Sequence, residues 1–106
     1  MGGNFTKKEL SDNLHSEFDL PQRQAKKIVH SIFEHLANAL KNKRNVEIRD
    51  FGVFHLSIRK SRIGRNPNKP EKDVVIPERV TVKFKCGKEL RENIEKISPK
   101  HIKNQK

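Results

Sequence analysis

The most demanding segment of this sequence is Pro21 to Asn42, because it carries more apolar surface than the rest of so short a chain can cover. Ala25, Ile28, Val29, Ile32, Phe33, Leu36, Ala37 and Leu40 recur in alternating steps of three and one, the spacing that places all of them on one side of an α-helix. Such a helix runs roughly 33 Å at about 1.5 Å per residue. The chain has 106 residues, 32% of them hydrophobic, and small domains bury a smaller fraction of their surface than large ones. A single short neighbouring helix leaves much of this stripe open. Either the remainder of the chain or a second copy must cover it, and the small core left after the polar arm is set aside favours a second copy.

The flanking segments supply the rest of the fold. Phe5-Thr6-Lys7-Lys8-Glu9-Leu10 contains a complete helix start, with Thr6 as N-cap, Glu9 as its capping-box partner and Phe5 with Leu10 as a hydrophobic staple. Leu10, Leu14 and Phe18 continue it, predicting a first helix from Lys7 to Phe18 that ends at Asp19-Leu20, with Pro21 opening the second. After Asn42-Lys43-Arg44-Asn45 the period changes to two. Val46 and Ile48 alternate with Glu47 and Arg49; Phe54, Leu56 and Ile58 alternate with His55, Ser57 and Arg59; Val80, Val82 and Phe84 alternate with Thr81, Lys83 and Lys85. These are three strands, each with one apolar face. Leu90 and Ile94 mark a short closing helix, and Ser98 to Lys106 is polar, basic and expected to be disordered.

Between the second and third strands stands Arg62 to Asp73, RIGRNPNKPEKD, where a hairpin ordinarily needs about 2 to 5 residues. A loop this long and this basic implies a function outside the chain's own core. The overall balance agrees: Lys and Arg number 24 against 13 Asp and Glu, a formal charge of +11. That excess calls for a polyanionic partner, for which nucleic acid, an anionic membrane and an acidic protein all qualify on charge alone.

Other classes fall away. One cysteine, Cys86, cannot form an intramolecular disulfide framework and fits a reducing compartment. With five scattered histidines it offers no metal-ligand spacing, and neither a metal nor any other cofactor is expected. The absence of an apolar run near the ~18 residues needed to cross a bilayer predicts a soluble, cytosolic protein without membrane association. Gly2 and Thr6 satisfy the myristoylation pattern, but the same residues read more simply as a leader before a helix cap. Asp50-Phe51-Gly52 matches a kinase tripeptide without the glycine-rich loop or catalytic loop that would give it meaning. His30 and Glu34 read as a surface pair, and Cys86 as an idle or buried thiol. No nucleophile, base and orienter assemble, so an enzyme is not expected.

The order helix, helix, hairpin, basic arm, strand, helix resembles the HU/IHF family of bacterial DNA-bending proteins. The likeness runs from about Phe5 to Ile94 and is carried most specifically by Gly64-Arg65-Asn66-Pro67, by the turn at Phe51-Gly52-Val53-Phe54, and by Phe84-Lys85-x-Gly87-Lys88-x-Leu90. It implies an α+β fold: an N-terminal helical pair, a three-stranded antiparallel sheet with a long protruding β-arm over about 59–79, and a short C-terminal helix, all in an intertwined dimer. On this reading residues 5–94 form the DNA-binding domain and 95–106 a basic tail. The resemblance further implies that Pro67 intercalates between base steps, with Arg59, Arg62, Arg65, Asn66 and Lys69 along the minor-groove arm, while Lys7, Lys85, Lys88 and Arg91 hold phosphates. The partner would be double-stranded DNA, the assembly a homodimer or a heterodimer with a related chain, and the location the bacterial cytoplasm and nucleoid.

This sequence departs from the family pattern in places. Asp50 stands where glycine is common, Ser57 and Ile63 where basic residues are frequent, and Cys86 where proline is usual; the descending arm carries Pro70 and one extra residue. The main alternative is a basic RNA-binding or ribosome-associated protein. Against it, the chain has neither Tyr nor Trp, and its phenylalanines are expected to be mostly buried, leaving no platform on which single-stranded bases could stack.

Overall fold

In the computed structural model the described residues are 3–66 and 69–103, without the side chains of 65–72 and 103. The chain divides into two compact units, residues 1–42 with 95–106, and residues 43–94.

The first unit contains α1 (Lys7–Phe18) and α2 (Gln22–Lys41). α1 starts as its sequence predicts, with Thr6 in extended geometry and its hydroxyl accepting from the Glu9 N–H at 3.3 Å. It stops at Asp19, which adopts the left-handed conformation at φ 54°, a common way to end a helix. The His15 Nδ1–H donates to the Leu20 carbonyl; a carbonyl can only accept, so this contact fixes the tautomer and fastens the α1–α2 turn. Pro21 occupies the N-cap of α2 rather than its first helical position, and its carbonyl accepts from the Ala25 N–H at 2.9 Å. Ser11, Ala25 and Val29 are the buried residues of these helices. All are small, as close helix approach requires. Within the segment expected to be disordered, Pro99–Lys103 forms a further helix, designated α4 below. Ser98-Pro99 is its start signal, since proline at the first helical position gives up an N–H that would have no intrahelical partner.

The second unit is built on β1 (Val46–Ile48), β2 (Gly52–Arg59) and β5 (Arg79–Cys86), antiparallel in the order β1-β2-β5, with a separate two-stranded sheet of β3 (Arg62–Asn66) and β4 (Lys69–Ile76). α3 (Lys88–Glu95) follows β5, and α4 is the last helix in chain order. Strand alternation puts Val46, Ile48, Phe54, Leu56, Ile58, Val80, Val82 and Phe84 on one face, where Phe84 stacks with Phe54 at 4.7 Å and Phe51 at 5.5 Å between ring centroids. Gly52 is required at this point: a Cβ there would lie 2.5 Å from the Lys85 carbonyl oxygen and 2.6 Å from the Phe84 ring. The Gly87 N–H donates to the Phe51 carbonyl at 2.8 Å, and the Gly87 carbonyl accepts from Arg91 at 2.8 Å, so the same glycine closes the sheet and begins α3.

The phenylalanines depart from expectation. Phe5, Phe18, Phe33, Phe51 and Phe84 are all exposed in the single chain, while the buried apolar residues among those described are Ala25, Val29 and Val46.

Candidate nucleic-acid interface

The face of the three-stranded sheet opposite Phe54 and Phe84 is polar, and the strand register determines its charge. Arg59 pairs with Arg79, Ser57 with Thr81, His55 with Lys83 and Val53 with Lys85. Four cations and a histidine thus share one surface of two adjacent strands, and the Arg59–Arg79 pair sets two cations directly opposite one another. Like charges in that position destabilise a sheet. Glu47, across from Val53, is the one carboxylate among the described residues that alternation places on this face. Among the described residues the ion pairs are Lys8–Asp12 and His30–Glu34, both exposed pairs within α1 or α2. Among the described residues the basic groups of the sheet therefore have no ion-pair partner. An extended polyanion laid across β2 and β5 would supply it.

Arg59, expected along the arm, and Lys85, expected beside the body, share this face. Arg79, Lys83 and His55 join them, although the sequence reading assigned them no role; the signal was available in the residues that alternate with Val80 and Val82. Beyond Arg59, the chain enters β3 and β4, paired as Arg62 with Ile76, Ile63 with Val75, Gly64 with Val74, Arg65 with Asp73 and Asn66 with Lys69, with an irregularity between Arg65 and Asn66. Arg62 is exposed. Arg65, Asn66 and Lys69 are strand residues, and Pro67 lies outside the described residues. Gly64 leaves room for Ile76, whose Cδ1 would come within 3.0 Å of a Cβ on residue 64.

At the other end of β5, Lys88 and Arg91 lie three apart in α3 and are exposed, so they project from one side of the helix. Lys88 also lines a cleft of about 450 Å³ with Asp50, Gly87, Glu89 and Glu92. Asp50 holds φ at 68°, a left-handed conformation that glycine adopts without cost. This chain thus accepts both backbone strain and an anion beside Lys88. Lys7 belongs to the helical unit, where it lines a groove of about 310 Å³ with Lys8, Ser11, Lys26, Val29 and His30.

The sequence model of the bacterial DNA-binding protein family matches residues 5–95. The chain belongs to this family, that of HU and integration host factor. It is 42% identical over 96 residues to the integration host factor alpha subunit of Pasteurella multocida, covering 91% of this chain and 97% of the relative. It is 44% identical over 91 residues to the beta subunit from Histophilus somni, covering 85% and 96%. Near-equal likeness to the two subunit types does not assign this family member to either. Its fold matches that of Anabaena HU in a cocrystal structure with DNA at a TM-score of 0.79 and 29% identity, covering 88% of this chain and all of the other.

Proposed function

We propose that this protein is an architectural DNA-binding protein that works as a dimer, laying two β3–β4 arms into the minor groove of duplex DNA and bending it. The observation that carries the reading is the β2–β5 face, where Arg59, Arg79, His55, Lys83 and Lys85 are held in register without an ion-pair partner among the described residues. Arg59, Arg62, Arg65, Asn66 and Lys69 follow the arm, Pro67 enters a base step, and Lys7, Lys85, Lys88 and Arg91 bind flanking phosphates. The wedge between base steps is the family's own mode of action and is transferred here by resemblance. A proline suits that position because its ring is rigid and it has no N–H to strand inside a stack. The protein carries out no chemical step on DNA, and its place is the nucleoid in the bacterial cytoplasm.

Dimerisation is supported by what a single copy leaves uncovered. Ile32 is 47% exposed and Phe33 42%, both on the apolar stripe of α2. Either a homodimer or a pair with a related chain would cover these faces.

The deciding experiment compares affinity for random duplex, one-base-gapped duplex and single-stranded RNA. The architectural reading expects gapped duplex to bind tightest, since it is already easy to bend. Preference for single-stranded RNA would transfer the protein to the RNA-binding class.

A further inference from the structure

We propose that the segment Lys96–Lys103 is an additional phosphate-binding surface for duplex DNA, separate from the strand face and the arm; it rests on the DNA-binding reading above. The family match ends at residue 95, so the family pattern gives this segment no role. The sign of the charge changes there. α3 carries Glu89, Glu92 and Glu95, while the sequence from Lys96 onward has Lys96, Lys100, Lys103, Lys106 and His101 and neither Asp nor Glu.

The segment is also ordered enough to present those charges. The His101 N–H donates to the Ser98 carbonyl at 3.0 Å, and Pro99–Lys103 is helical. Lys100 and Lys103 are three residues apart in the sequence of α4. Lys96, Lys100 and His101 are exposed, and Lys96 and Lys100 make no ion pair among the described residues. Like charges at helical spacing repel one another, and that cost is relieved when a polyanion lies against them. Duplex DNA carries one charge per about 1.7 Å of axis, dense enough for lysines spaced about 4.5 Å along a helix to reach neighbouring phosphates. A five-residue helix is too short to lie on a lipid surface as an amphipathic anchor, which favours DNA over a membrane.

The test is the triple variant Lys96→Gln, Lys100→Gln, Lys103→Gln in the full chain, with the corresponding triple arginine variant as control. Duplex affinity is measured against salt for parent and both variants, with circular dichroism to establish that each is folded. The glutamine variant should lose affinity and reduce the log–log salt slope by about one unit for each phosphate contact removed; the arginine variant should keep the parent's slope. An unchanged slope in the glutamine variant, in a protein whose parent binds duplex with steep salt dependence, overturns the tail assignment alone. A parent that shows no such binding sinks the architectural reading first. Equal losses for duplex and single-stranded RNA would make the tail a general polyanion contact and overturn its assignment to duplex.

Discussion

Arg59 and Arg79 stand directly opposite each other across β2 and β5, and this repulsion within the free protein gives opposite signs to stability and binding. Replacing Arg79 with Gln should leave the fold unchanged or stabilise it by a few tenths of a kcal/mol, since a like-charged cross-strand pair is removed. DNA affinity should fall nonetheless, and the salt slope should drop by about one unit per lost phosphate contact. Urea unfolding and a salt titration of binding measure the two quantities separately. A variant that loses stability while keeping its affinity would show that Arg79 is structural and faces no phosphate.

Gly52→Ala probes the sheet in a different way. The added Cβ would meet the Lys85 carbonyl and the Phe84 ring well inside contact distance, and Phe84 is the ring that both Phe51 and Phe54 touch. Neither backbone nor a packed ring yields cheaply, so a loss above about 2 kcal/mol is expected by denaturant unfolding. Since the affected strands carry the basic face, DNA binding should weaken in parallel with the unfolded fraction.

How much of this was legible in the sequence depended on the range of the forces involved. α1 was readable to the residue because Thr6, Glu9 and Asp19 act on their own neighbours. The strands were readable from alternation, since one face must be apolar. The pairing of Arg59 with Arg79 was not, because it depends on where β5 docks after an arm whose length sets the register. α4 was not legible because five residues with a single large apolar side chain, Ile102, show no apolar periodicity, although Ser98-Pro99 announced a helix start. The exposure of Phe51 and Phe84 in one copy was not legible for the opposite reason: the sequence records that these rings need burial, but not whether their own chain provides it.

The α2 stripe leads to an assembly prediction. If the stripe is a subunit interface, the protein should sediment as a dimer at micromolar concentration, and its melting temperature should rise with concentration. Phe33→Asp places a charge at the interface centre and should abolish dimer and fold together. A well-folded monomer carrying that substitution would remove the basis for a two-armed protein.

Asp50 allows charge and strain to be tested apart. Asp50→Gly relieves the left-handed backbone, whose cost of roughly 1–2 kcal/mol for an L-residue is only partly offset by aspartate's tolerance of it, and should stabilise the fold or leave it unchanged. Asp50→Asn keeps a side chain that tolerates this conformation while removing the anion next to Lys88. Both variants should bind duplex DNA more tightly than the parent if phosphate passes this cleft. Tighter binding by the glycine variant alone would assign the effect to backbone geometry.

The arm itself is tested at Pro67, the residue that the family resemblance places in a base step. Unstacking a step costs a few kcal/mol, recovered only when bent DNA reaches more of the basic surface. Pro67 should therefore matter more for bending than for contact. In Pro67→Ala, Arg59, Arg62 and Arg65 remain to attract phosphate, so affinity for straight duplex should fall modestly. Affinity for a gapped duplex, where little unstacking is needed, should fall even less. The bend angle, read by end-to-end fluorescence transfer on a short duplex, should drop clearly. Deleting residues 64–73 should then remove bending and most of the affinity together. If Pro67→Ala bends DNA as strongly as the parent, the arm is a charged clamp, and the bend must come from neutralising phosphates on the face that Arg59, Arg79, Lys83 and Lys85 share.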